Sequence, residues 1–298
     1  MDKITSMNIF EIIKQFDKLI SLPDAIICLT GLILLACWLL KTSLGRNALV
    51  DSAPRRNNMP VYLPFIPLFI WFGSAPLVML ITRQLIANLP DWQNALLDNL
   101  ILSIGATLTI VLIIFLARAS FARRLKGFGL NARTIHKDFV FAFINLLSIC
   151  PLVLAAIVVT TCFGKLIYGQ DFYLEQHEEL KTIATYTQLP LRILIIITTI
   201  MLAPVLEELL FRGLFQTMLR SSLEFRFTNL ESRYSSWLSI LISSGLFILV
   251  HPNAGHWPAL FMLAITLGYS YEKSGSLFRP IFIHSFFNSV AIIAVLSQ

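Results

Sequence analysis

Apolar runs of bilayer length recur from one end of this sequence to the other, and they decide the fold class before any motif is considered. Ala25 to Leu40 and Phe139 to Phe163 contain no charged residue, and Leu96 to Ala117 holds only Asp98 near its start. A membrane-crossing helix needs about 20 mostly apolar residues. Lipid leaves no water to satisfy a bare backbone, so such runs must close their own hydrogen bonds as helices. Composition agrees: the 298 residues are 56% hydrophobic and 13% charged, against roughly 25% charged in an ordinary soluble domain. The expectation is an all-α, polytopic membrane protein of about eight transmembrane helices.

The net charge of +6 does not indicate a nucleic-acid partner, because of where the charge lies. Most Lys and Arg residues fall in alternate connections: Lys41 to Arg56, Arg118 to Lys137, Arg212 to Arg233, and Lys273 with Arg279. That alternation is the positive-inside pattern of cytoplasmic loops. With eight elements it puts both termini on the non-cytoplasmic side, in what is expected to be a bacterial plasma (inner) membrane. Cys28, Cys37, Cys150 and Cys162 lie in apolar stretches without CxxC spacing and read as small hydrophobes.

In chain order, Ile4 to Ile20 reads as an amphipathic segment on the membrane surface, and Ala25 to Leu40 as the first span. Tyr62 to Ile86 is a second, interrupted by Pro64, Pro67, Gly73 and Pro76, then Leu96 to Ala117 a third. Phe121 to Asn131 is expected along the interface, and Phe139 to Phe163 crosses again. Gly164 to Gln188 is the longest connection on the acidic side, with a short amphipathic helix expected inside it. Leu191 to about Leu219 is the fifth element, Ser221 to Ser236 a polar loop, and Trp237–Val250, Trp257–Tyr271 and Ile281–Leu296 the last three. Two parts of one membrane domain follow: residues 1–189, and a C-terminal core, 190–298.

The fifth element carries the anomaly. After the charge-free run Ile193 to Ala203 come Pro204-Val205-Leu206-Glu207-Glu208-Leu209-Leu210-Phe211-Arg212. Ionisable groups at membrane depth are costly and mark function by default. Glu208 and Arg212, four apart, share a helix face and can pair. Glu207 points about 100° away and must find water, a histidine or a ligand, which suits a general base. Pro204 has no N–H, so the carbonyl of Ile200 is expected to be left free just before the glutamates.

Two later segments offer partners. His251 closes an apolar helix, and taken alone it reads as an interfacial cap; His256 reads as a loop residue. His284 and Asn288 are again four apart, and an imidazole beside a carboxamide offers donors to a developing oxyanion. Elements six to eight are short for a full bilayer if His251 and His284 are to meet, so tilted or incomplete crossings around a wet cavity are expected. No HExxH is present, although Glu207, His251 and His284 are the types that ligate zinc.

Glu207-Glu208-x-x-x-Arg212, Phe247-x-x-x-His251 and His284-x-x-x-Asn288, in that order, resemble the three motifs of the CAAX prenyl protease and bacteriocin-processing family. This membrane-embedded family includes the Ras-converting enzyme and the bacterial abortive-infection proteins. The likeness covers about residues 190–296, and no motif residue is missing. It implies an intramembrane glutamate endopeptidase in which Glu207 activates water and His251 positions it. Glu208 and Arg212 would support the site, and His284 with Asn288 would form the oxyanion hole. It implies no cofactor, with zinc the alternative of older accounts of the family, and a peptide or membrane-protein substrate reached from the lipid bilayer. The rival readings are a non-catalytic membrane protein that binds or shields a peptide, toxin or membrane-protein partner, and a small-solute transporter. The transporter reading lacks the paired broken helices of inverted repeats.

Overall fold

The computed structural model describes residues 22–52, 54–86, 88–229 and 231–297. The predicted surface segment 4–20 lies outside them. Among the described residues the chain is helical throughout, with one isolated antiparallel bridge, Asn57 to Phe121. The long helices are α1 (Leu22–Lys41), α2 (Phe65–Leu85) and α3 (Asp91–Ser120). After a single turn, α4 (Arg124–Phe128), comes α5 (Ile135–Tyr168). The short α6 (Glu178–Thr185) precedes α7 (Leu189–Arg226), α8 (Ser232–Leu249), α9 (Trp257–Ser274) and α10 (Phe278–Leu296). Five of these, α2, α3, α5, α7 and α10, are long and apolar enough to cross a membrane. Their outer faces expose large apolar side chains such as Phe69, Leu108, Phe115 and Val290, which suits lipid as the surrounding solvent.

α5 is the hub, packing against α1, α9 and α10, while α7 is enclosed by α3, α8, α9 and α10. The main core gathers around α7: Leu206, Leu210, Phe211, Leu214 and Phe215 are buried against Ile113, Phe247 and Tyr271. α8 presents Ser235, Ser236, Ser239, Ser243 and Ser244, all buried, on its inner side. Small residues let helix backbones approach closely where lipid supplies no hydrophobic drive for helix association.

Two sequence expectations change and a third gains detail. Residues 121–131, expected along the interface, turn their aromatic rings into the protein: Phe121 and Phe128 are buried, and Phe128 packs where a Cβ on Gly213 would come within 2.3 Å of its ring. Phe128 also accepts the Tyr271 hydroxyl on its carbonyl at 2.9 Å. The loop predicted at Ser221 to Ser236 shrinks, because α7 runs to Arg226 and α8 starts at Ser232. Arg212 and Arg220, counted as loop charges by their sequence position, are instead fully buried on α7.

What holds them is a regular ladder. Glu208, Arg212, Gln216, Arg220 and Glu224 recur every four residues along α7, and the middle three face a matching series on α9. Arg212 Nη2 donates to the Ala264 carbonyl at 3.1 Å, and Gln216 Nε2 to the Gly268 carbonyl at 3.1 Å and to Glu272 Oε1 at 3.0 Å. Arg220 pairs with Glu272 and donates to the Ser52 carbonyl at 2.7 Å. Arg55 closes the far end, its guanidinium 3.5 Å from the Tyr271 ring centroid. Arg212 to Ala264, Gln216 to Gly268 and Arg220 to Glu272 each span 52 residues, so the ladder fixes the register of α7 against α9.

Candidate active site

α7 is not a plain α-helix. It widens into π geometry at Thr198–Leu202, returns to α at Ala203–Glu207, and widens again at Glu208–Gln216. Wide turns of this kind are frequent at functional sites. Here they change which carbonyl Pro204 leaves bare. In π register the missing N–H of residue 204 would have served residue 199, not residue 200. The structure fills that gap from α10: Asn288 Nδ2 donates to the Thr199 carbonyl at 2.8 Å. A second side chain does the same lower down, where Ser243 Oγ donates to the Phe211 carbonyl at 3.0 Å.

Glu207 ends the α segment and Glu208 opens the second π segment, so the pair straddles the change of pitch. Glu208 is fully buried, and its Oε1 takes Arg212 Nη1 at 2.9 Å and His284 Nδ1 at 2.9 Å. Arg212 lies with its guanidinium 4.6 Å from the Phe247 ring centroid. Glu207 approaches the other side of the same imidazole: its Oε2 is 3.8 Å from His284 Nε2. No hydrogen-bond donor of the described residues reaches that buried Oε2. The two glutamates meet opposite nitrogens of one imidazole, so the separate neighbourhoods expected for them are joined at His284.

Carboxylate oxygens accept only, so His284 Nδ1 carries the proton toward Glu208, and Nε2 faces Glu207. The same reasoning fixes His251, just beyond α8. Its Nδ1 lies 2.8 Å from the Phe247 carbonyl and must donate, which leaves Nε2 as a lone pair in the neutral ring. Phe247 sits between the two histidines, its ring centroid 4.7 Å from that of His251 and 5.9 Å from that of His284. His251 and His284 both lie within electrostatic reach of Glu207. The three sequence motifs therefore converge. Asn288 is the exception, since one of its amide hydrogens is engaged by α7.

Residues that sequence reasoning missed stand at the end of the bundle where α5 stops and α7 begins. After a turn at 170–171, the connection from α5 continues without regular structure over 172–177 as a strap into α6. Phe172 packs flat on Gly164, where a Cβ would come within 2.0 Å of its ring. His256 Nε2 lies 2.6 Å from the Glu175 carbonyl, and the His177 and His256 rings stack at 4.6 Å. Burial, then the neighbouring His256 and His251, push the His177 pKa down to about 4. A cavity of about 820 Å³ lies between the strap and the C-terminal end of α5, lined by Tyr168, Phe172, Leu174, His177 and Asn253. His177 stands in that connection with no local spacing to tie it to another histidine.

That shift makes the strap acid-sensitive. A histidine whose native pKa lies below its ordinary value binds fewer protons folded than free, so its stabilisation is full above pH 6.5 and lost as pH falls toward 4. Hydrogen exchange of residues 170–177, corrected for its intrinsic pH dependence, is expected to accelerate across that window. His177→Phe, which keeps the ring stack, should flatten the response.

Fold and site together define a class: a polytopic helical membrane protein with a buried paired-glutamate site braced by an arginine and two histidines. Residues 189–290 match the family described as type II CAAX prenyl endopeptidase Rce1-like. The match covers this C-terminal part of the chain, which is thereby similar to a family of proteases. No curated protein and no solved structure matches the chain.

Proposed function

We propose that the chain is an intramembrane endopeptidase that hydrolyses a peptide bond in a membrane-associated or C-terminal peptide segment, with water activated by Glu207. The observation that carries the reading is Oε2 of Glu207, buried, without a donor among the described residues, and facing His284 Nε2 across 3.8 Å. A buried carboxylate held this way is suited to take a proton from water. The water oxygen bonds to the scissile carbonyl carbon as its proton passes to Glu207. The carbonyl oxygen becomes an oxyanion, which then collapses as the C–N bond breaks, and the proton held on Glu207 passes to the departing amine.

His251 supports the attack through its Nε2 lone pair, which accepts from the second O–H of the same water. His284 donates to the oxyanion from Nε2 when that atom carries a proton, and Asn288 donates with the amide hydrogen that Thr199 leaves free. Glu208 and Arg212 hold His284 in place without touching the reacting atoms. The route for a substrate is from the acidic side, past the strap. That side is the non-cytoplasmic face, with both termini on it.

The reaction as written needs no cofactor. Among the described residues no group of three His, Cys, Asp or Glu side chains is arranged around a common metal position. In purified protein, cleavage is expected to survive strong chelation, and loss of activity restored by zinc would replace this mechanism. The test of the function itself compares peptide termini in native membranes containing wild type or Glu207→Gln, by quantitative mass spectrometry. Termini that vanish in the variant support proteolysis and name the substrate. Identical termini at equal protein abundance sink it, in favour of a non-catalytic protein that binds a peptide or membrane partner.

A further inference from the structure

A second cavity, of about 630 Å³, lies far from the glutamates, between α1, α5 and α9. It arises because α1 packs along α5 and is tied to α9 by a hydrogen bond from Trp38 Nε1 to the Tyr269 hydroxyl (2.8 Å), with Trp237 stacked on Tyr269. The walls are largely apolar: Leu34, Leu35, Ile144, Leu152, Met262 and Ile265. From Phe141 to Leu152 the cleft follows α5 for eleven residues, or about 16 Å at 1.5 Å per residue. That is about half of a hydrocarbon core roughly 30 Å thick.

Charge is confined to one end. Lys41 closes α1, Lys273 lies in the last turn of α9, and Arg279 in the first turn of α10. Arg279 is pinned by Asp138, at 3.0 Å, and its guanidinium lies 4.9 Å from the Phe141 ring centroid. The two lysines are exposed, and among the described residues no carboxylate pairs with either. The carboxylate next to Lys273 in sequence, Glu272, is turned inward to Arg220, Gln216 and Arg55.

The geometry points to a binding site for one anionic glycerophospholipid, with an acyl chain in the cleft between α1 and α9 and its phosphate at Lys41, Lys273 and Arg279. Three features select this occupant. The depth is that of a single leaflet, the walls offer an acyl chain apolar contact along that depth, and two unpaired cations stand at headgroup level. Basic pockets between helices at a membrane surface attract anionic headgroups for this reason. The pinned Arg279 adds direction, since a guanidinium presents paired donors to phosphate oxygens. This inference is independent of the proteolytic reading, because no residue of the glutamate site lines the cleft.

The test is native mass spectrometry of the full-length protein titrated with phosphatidylglycerol, with phosphatidylcholine of the same acyl chains, and with inorganic phosphate. Wild type should retain one phosphatidylglycerol at least about 10-fold more strongly than phosphatidylcholine, and K41Q/K273Q should lose that preference. Ser148→Trp, which fills the cleft and leaves both lysines, should release the lipid as well. Equal retention of the two lipids, or unchanged phosphatidylglycerol binding in K41Q/K273Q, would overturn the proposal. So would inorganic phosphate competing as well as the lipid, which would reduce the site to an anion patch.

Discussion

Glu207→Gln is expected to lower cleavage by about 10²- to 10⁴-fold, the range spanned by general bases, while the protein remains folded. The amide keeps the shape of the side chain and removes only its capacity to take a proton. Folding should be unaffected or slightly improved, because Oε2 of Glu207 is buried without a donor among the described residues and a neutral group is cheaper to keep there than a charge. The measurement is a pair: turnover of the substrate identified from the native-membrane comparison, and thermal unfolding in the same detergent. Retained turnover would remove Glu207 from the mechanism. Lost turnover with a collapsed melting temperature would mean that the carboxylate is structural, and the assignment as base would fail.

Arg212→Ala should behave in the opposite way, with destabilisation of about 3–5 kcal/mol. The substitution strands Glu208, which is fully buried, as an unpaired charge, and it removes the rung to Ala264 on α9. The informative companion is the double replacement Glu208→Leu with Arg212→Met. Exchanging a buried ion pair for apolar groups of similar size is often neutral or stabilising, so much of the lost stability should return. Activity should not, since His284 Nδ1 loses the acceptor that orients its ring. Urea titration of the three proteins separates the two effects. If Arg212→Ala unfolds like wild type, the structural role given to the pair is wrong.

Class and motif were legible in the sequence for simple reasons. Charge-free runs such as Phe139 to Phe163 have one stable form in lipid, a helix that satisfies its own backbone. The i, i+4 spacings of Glu208 with Arg212 and of Phe247 with His251 are one helical turn, so their pairing is local. The match at residues 189–290 falls on the stretch those motifs occupy. The sequence also flagged Glu207 as the group without a local partner, because adjacent helix positions diverge.

What stayed hidden depended on how helices sit against one another. Pitch is one case: Pro204 marked a broken ladder, but only the π turns, held by Asn288 from α10, decided that Thr199 supplies the bare carbonyl. The basic residues are another. Arg220 sits where a loop charge is expected, and only its fit to Glu272 across the α7–α9 interface makes its burial affordable. His177 was invisible for the same reason, since a strap has no periodicity to read and its neighbours His251 and His256 lie more than 70 positions away. Local spacing is written into a sequence by the geometry of one helix; the alignment of two helices is settled by packing over their whole length, and no single stretch of sequence carries it.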